Sequence, residues 1–222
     1  MVQFKMQAAG RVVAVSALYA TTREFCAAYL CDGEPDFSVT IVPEDIVFEQ
    51  EKVDRENALE GLPARVCEAP ILEWTALQRK IAEMLFQFET ILFHGSVIAV
   101  DGEAFLFTAK SGTGKSTHTG YWRMVFGDRA TMVNDDKPLL RITQDGVMAC
   151  GTPWDGKHRL STNTMVPLKG LVILERGEQN EIVAVSAGEA FPMLLQQSSR
   201  PRNPDKLPQY LCACPNESFL DS

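Results

Sequence analysis

A glycine-rich run set between an apolar strand and a helix start constrains this chain more than any other feature. Residues 105–119 read FLFTAKSGTGKSTHT. The apolar and aromatic residues up to Thr108 suit a buried strand, and a helix is expected from Lys115. Gly112 and Gly114 let the backbone turn tightly, so that N–H groups from Ser111 to Ser116 can point at one anion. The free N–H groups and positive dipole end of the following helix add to that attraction. This is the build of a Walker A P-loop, with Ser111, Gly112, Thr113, Gly114, Lys115, Ser116 and Thr117 around nucleotide phosphates. Lys115 is expected to reach the β/γ-phosphates and the Ser116 hydroxyl to ligate Mg²⁺. The strict pattern asks for glycine at position 109, where this chain has Ala109.

The balance of charge narrows the ligand. The 222 residues carry 29 acidic and 21 basic side chains, a net charge of −8. A nucleic-acid partner calls for a basic face, so none is expected. Nucleotide binding needs only local positive charge. No apolar run approaches membrane-spanning length, and the N-terminal residues lack the apolar core and cleavage site of a signal peptide, so no membrane partner and a cytoplasmic location are expected. The spacings of Cys26, Cys31, Cys67, Cys150, Cys212 and Cys214 fit neither a paired zinc site nor a disulfide framework, which points to reduced thiols.

Short apolar strands are expected at 2–8 and 11–17, a helix at 17–30, and alternating strands over 37–51 broken by Pro43. This small α+β lobe, residues 1–64, ends in the turn-rich stretch at 61–63. A core domain follows over 65–199. Its first helix, 70–89, carries Trp74, Leu77, Ile81, Met84, Leu85 and Phe88 on one apolar stripe. The run 91–100 reads as one strand, turned at Asp101–Gly102 into the strand that delivers the P-loop. Further strands are expected at 130–133, 139–143, 147–150, 170–175 and 182–186, with a last helix at 188–197. Residues 200–222, rich in proline and without periodicity, read as an irregular tail.

Two more segments carry chemistry. Asn134, Asp135 and Asp136 follow a helix and a strand about 20 residues beyond Lys115. That spacing brings the chain to the strand expected to neighbour the P-loop strand, at the same end. One carboxylate suits Mg²⁺ and the other suits taking a proton from an attacking hydroxyl; Asp136 is assigned to the metal and Asp135 to the base, with the reverse order left open. His94 ends an apolar strand just before Gly95, where a polar side chain faces a site or needs a buried partner. The third segment, 151–160, gathers Lys157, His158 and Arg159 in a turn-rich loop suited to an anionic substrate.

Together, AKSGTGKS at 109–116, the Phe93-His94-Gly95-Ser96 run before it and the Asp135-Asp136 pair after it resemble the HPr kinase/phosphorylase family. That family shares its nucleotide-binding core with phosphoenolpyruvate carboxykinases. The resemblance covers residues 90–176 and, more loosely, the helix at 188–197. The segments SGTGKSTHTGYW, NDDKPLLR and GTPWDGKH look most like the smaller HPr kinase-like proteins of unassigned substrate. The resemblance implies an α/β fold with a mixed sheet and a P-loop core. It also implies an ATP-dependent kinase acting on a serine-type or small-molecule hydroxyl, with Asp135, Asp136, Lys115 and His94 catalytic. The first 60 residues do not match that family's regulatory domain, so HPr itself is not the expected acceptor. Relatives are often oligomeric, which leaves a homo-oligomer open. A non-catalytic ATP-binding regulatory module of the same fold is the alternative.

Overall fold

The computed structural model describes residues 1–199; the tail expected at 200–222 lies outside them. The protein is mixed α/β and divides into two compact units, Met1–Met84 and a second beginning at Leu85. Among the described residues no helix is long and apolar enough to cross a membrane.

In the first unit, β1 (Val2–Ala8) and β2 (Arg11–Ala17) form an antiparallel hairpin. The short α1 (Ala20–Phe25) and a 3₁₀ turn over Ala27–Tyr29 lead towards β3 (Phe37–Thr40), which pairs parallel with β2. Period-two burial of Phe4, Met6, Val13, Val15, Phe37 and Val39 marks the covered face. The helix expected over 17–30 starts late because the Leu18 and Tyr19 N–H groups are taken by the Glu73 carboxylate, at 2.5 and 3.2 Å.

The strands expected up to residue 51 are a helix beyond Thr40. Pro43 does not interrupt a strand; it opens α2 (Pro43–Leu59) at the first helical position. There its missing N–H costs no hydrogen bond and its fixed φ is already helical. Asp45 caps the same end, its carboxylate accepting the Val42 N–H at 3.0 Å. Helix α3 (Ala69–Leu85) buries Leu72, Ala76, Leu77, Ile81 and Leu85, the expected stripe shifted slightly in membership. The chain divides at Met84/Leu85 rather than at 64/65, because Arg79 and Lys80 of α3 bond to α2 and to the Thr40 carbonyl.

The second unit contains β4 (Thr90–Leu92), β5 (Ser96–Val100), β6 (Glu103–Thr108), α4 (Lys115–Phe126), β7 (Ala130–Asn134), β8 (Leu139–Thr143), β9 (Gly146–Cys150), β10 (Met165–Ile173) and α5 (Ala187–Gln197). Its seven-stranded mixed sheet runs β4-β8-β9-β10-β6-β5-β7. Strand β10 joins two halves: Met165–Pro167 pair antiparallel with β9, and the register then shifts into parallel pairing with β6. Alternation sorts the strands' side chains into two cores. Val97, Ala99, Leu106 and Val133 pack with Leu140, Ala149 and the α5 residues Ala190 and Leu194. Ile98, Phe107 and Met132 gather with Trp122 of α4.

Two expectations for this unit change. The run 91–100 is two strands, parted at Phe93–Gly95, where the Phe93 and Gly95 N–H groups donate to the Pro138 and Asp136 carbonyls. A Cβ on Gly95 would stand 3.1 Å from the Phe107 carbonyl oxygen, so this crossing needs glycine-sized clearance. Residues 182–186 form no strand: Ile182 and Val183 are exposed, and Ser186 stands at the N-cap of α5, its N–H and hydroxyl both donating to the Glu189 carboxylate.

Candidate functional site

Strands β6 and β7 both run antiparallel to β5, so they are parallel to each other and end at the same edge of the sheet. They are not neighbours, as the spacing suggested; β5 lies between them. That inserted strand begins at Ser96, level with Phe107 of β6 and next to the Asn134 end of β7. The edge therefore gathers the glycine-rich loop, the acidic pair and a buried serine.

The loop from Ala109 to Gly114 turns through left-handed glycines, Gly112 at φ 77° and Gly114 at φ 117°, and α4 starts directly at Lys115. Ala109, where glycine was expected, is fully buried, so the departure sits in the packed stem rather than in the crown. Ser111, Gly112, Ser116 and Thr117 are exposed; Thr113, Gly114 and Lys115 are half-buried. The Thr113 N–H and hydroxyl donate to the Lys110 carbonyl, and Lys115 Nζ donates to the Ala109 carbonyl at 3.3 Å. Burial holds the Lys115 ammonium below its ordinary range; the charges of Asp136 and Asp135 pull the other way, and Lys137 adds to the depression.

The two aspartates have different surroundings. Asp135 is buried, and its Oδ1 accepts the Ser96 hydroxyl at 2.7 Å. Ser96 Oγ in turn lies 2.9 Å from Thr119 Oγ1, on the first turns of α4. Asp136 is half-buried and its Oδ1 lies 3.3 Å from His94 Nε2. Burial alone would raise the Asp136 pKa, but the His94 hydrogen bond and the charges of Lys137, His94 and Lys115 outweigh it and hold the carboxyl below the usual range.

Asn134 organises both this turn and the third segment. Its side-chain oxygen accepts the N–H groups of Asp136 and Lys137, at 2.9 and 2.6 Å, fixing the acidic turn. Its amide nitrogen donates to the Thr152 carbonyl and hydroxyl, at 3.1 and 3.0 Å, and that hydroxyl donates to the Lys137 carbonyl. The 151–160 loop is thereby fastened to the acidic turn. Gly156 lies so close that a Cβ there would stand 2.7 Å from Asp135 Oδ2. Lys157, His158 and Arg159 are exposed on the same loop, beyond that contact.

The structure thus brings the loop, Lys115, both aspartates and His94 to one sheet edge. It also gives roles to residues to which the sequence had assigned none. Ser96 and Thr119 link α4 to Asp135, Asn134 holds two loops, and Gly156 packs on the carboxylate. Ser96 left one signal, a hydroxyl opening the otherwise apolar SVIAV strand. His118, in contrast, belongs to packing: its ring lies tilted against Phe107 with centroids 4.6 Å apart, its Nε2 accepts the Trp122 N–H, and burial lowers its pKa. Cys26, Cys31, Cys67 and Cys150 are free thiols, and burial pushes Cys26 and Cys150 up to about 12.

No protein-family model matches this chain, and no curated protein matches its sequence. The functional reading therefore rests on the site.

Proposed function

We propose that this protein is an ATP-dependent phosphotransferase whose second unit is an HPr kinase-like P-loop core. It moves the γ-phosphoryl of ATP to a serine-type or small-molecule hydroxyl. One observation carries the reading: the Lys115 loop and the Asp135–Asp136 turn share a sheet edge, and a buried Ser96–Thr119 contact links the loop's helix to Asp135. Kinase chemistry needs that juxtaposition of a polyphosphate grip with a carboxylate for the attacking hydroxyl.

In this reading the amides of residues 111–117 and the Lys115 ammonium hold the phosphates. Ser116 and Asp136 would hold Mg²⁺, which neutralises charge on the transferring group. Their donor set fits a hard cation that takes few protein ligands, and Asp136 is held ionised for it. Asp135 accepts the proton of the attacking hydroxyl as the new P–O bond forms and the bond to ADP breaks. His94 orients Asp136, and Lys157, His158 and Arg159 form the acceptor side. Gly156 leaves space for the Asp135 carboxylate where any larger residue would displace it.

The test is thermal stabilisation by Mg-ATP in wild type and Lys115→Ala. A clear upward shift is expected in wild type and its loss in the variant; equal shifts would refute the loop assignment. ADP release with and without cell extract separates a kinase from an ATP-binding regulatory module, since only a kinase gains turnover from an acceptor.

A further inference from the structure

Resting on the phosphate-loop reading, we infer that Arg176 is a positioning residue for that loop, contributed by the connection after β10 and acting through the Gly112 carbonyl. Arg176 Nη2 donates to Gly112 O at 2.9 Å, across 64 residues of sequence. The sheet supplies the placement. Ile173 of β10 stands level with Thr108 of β6, and the Leu174 N–H donates to the Thr108 carbonyl at 2.9 Å. The chain therefore leaves β10 beside the point where β6 becomes the loop, and Arg176 follows two residues later.

The contact falls on a peptide in the crown of the loop. In a trans peptide unit the Gly112 C=O and the Thr113 N–H point in opposite directions. A guanidinium holding the carbonyl from one side thus fixes the plane of the Gly112–Thr113 peptide, whose N–H on the other side closes the turn onto the Lys110 carbonyl. Gly112, at φ 77°, has no side chain to fix that unit, so an outside tether has most leverage there. Thr113 meanwhile closes its own turn onto the Lys110 carbonyl, and Arg176 ties this turn to the connection after β10. Arginine suits the task because its fork keeps its charge and offers several donors. Arg176 is exposed, so the tether serves the loop's geometry more than the unit's core.

A tether of this kind predicts a distinct ligand pattern. The loop cradles the α- and β-phosphates, which ATP and ADP share. Arg176→Ala should weaken Mg-ATP and Mg-ADP alike, by about three- to tenfold, the usual net worth of one solvent-exposed hydrogen bond. Arg176→Lys, which retains a donor and a charge, should recover most of that loss. The melting temperature without nucleotide should barely move, as for surface substitutions generally. Calorimetric titration of wild type, both variants and Lys115→Ala with Mg-ATP and Mg-ADP decides the matter. Equal weakening with lysine rescue supports the tether. A loss confined to Mg-ATP overturns it, since Arg176 would then act on the terminal phosphate itself. Wild-type affinity in Arg176→Ala, beside weakened binding in Lys115→Ala, removes the tether and leaves the phosphate-loop reading standing. Absence of binding by wild type removes both.

Discussion

Both units of this protein bury carboxylates, and they treat them in opposite ways. In the first unit Glu49, 1% exposed, receives the Arg79 guanidinium at 2.6 Å, and Asp45 receives Lys80, Arg79 and the Val42 amide. Glu73 there takes two backbone N–H groups and the Thr22 hydroxyl. Every one of these acids is met by cations or by several donors, as burial of charge requires. In the second unit, Asp135 is met by a serine hydroxyl and Asp136 by a histidine, while the nearby Lys115 bonds a loop carbonyl. Cations or several donors meet each acid of the first set. The second set faces a hydroxyl and an imidazole, an arrangement that suits the proposed phosphoryl transfer.

The sharpest test of this contrast removes charge in each unit. Asp135→Asn and Asp136→Asn should each cut turnover by about 10²–10⁴-fold, the usual worth of general acid–base catalysis, while nucleotide affinity changes far less. Arg79→Ala should do the reverse. It strands the buried Glu49 carboxylate, so about 3–5 kcal/mol of stability should be lost from the first unit, read as a lowered denaturation midpoint. Near-normal turnover in both aspartate variants would reduce the acidic pair to a turn.

Much of this contrast was legible in the sequence at the candidate site and almost none in the first unit. The loop announces itself because its chemistry is local: glycines, lysine and hydroxyl act within a few residues of one another. The acidic pair was legible for the same reason. What joins them is not local. Ser96 meets Asp135 only because β5 inserts between β6 and β7, and spacing alone had made those strands neighbours. Arg79 and Glu49 likewise meet across 30 residues. The strand-like alternation after Phe37 misled because Pro43 is ambiguous, a breaker in a strand and an opener in a helix. At 182–186 an apolar pattern satisfied strand periodicity with no partner to pair it.

A milder change probes the buried link itself. Ser96→Ala removes the donor to Asp135 and a partner of Thr119 while leaving the catalytic groups in place. A buried polar group deprived of its bond costs about 1–3 kcal/mol, so a moderate fall in stability is expected. If Ser96 also fixes the carboxylate for proton transfer, kcat should fall with the KM for ATP nearly unchanged. Loss of stability with unaltered kcat would make Ser96 a packing residue and weaken the distinction between the two units.

The smallest expected effect is a pH dependence of the first unit. Burial alone would raise the Asp45 pKa, but the bonds from Lys80, the Val42 amide and Arg79 outweigh it and leave the folded-state value below the ordinary aspartate value of 3.8. A carboxyl whose pKa is lower folded than unfolded stabilises the fold above its unfolded value. That contribution is lost as pH falls from there through the depressed folded value, where protonation breaks the pairing. Amide exchange in Pro43–Leu59 should therefore accelerate as pH falls below about 4, after correction for intrinsic exchange rates. Asp45→Asn should be less protected at neutral pH and should lose part of that acid sensitivity, because the substituted amide does not titrate. An Asp45→Asn variant with the full wild-type acid response would place the sensitivity elsewhere. The first unit's buried acids would then be paired for geometry alone, and the contrast with Asp135 and Asp136 would rest on exposure rather than on how charge is neutralised.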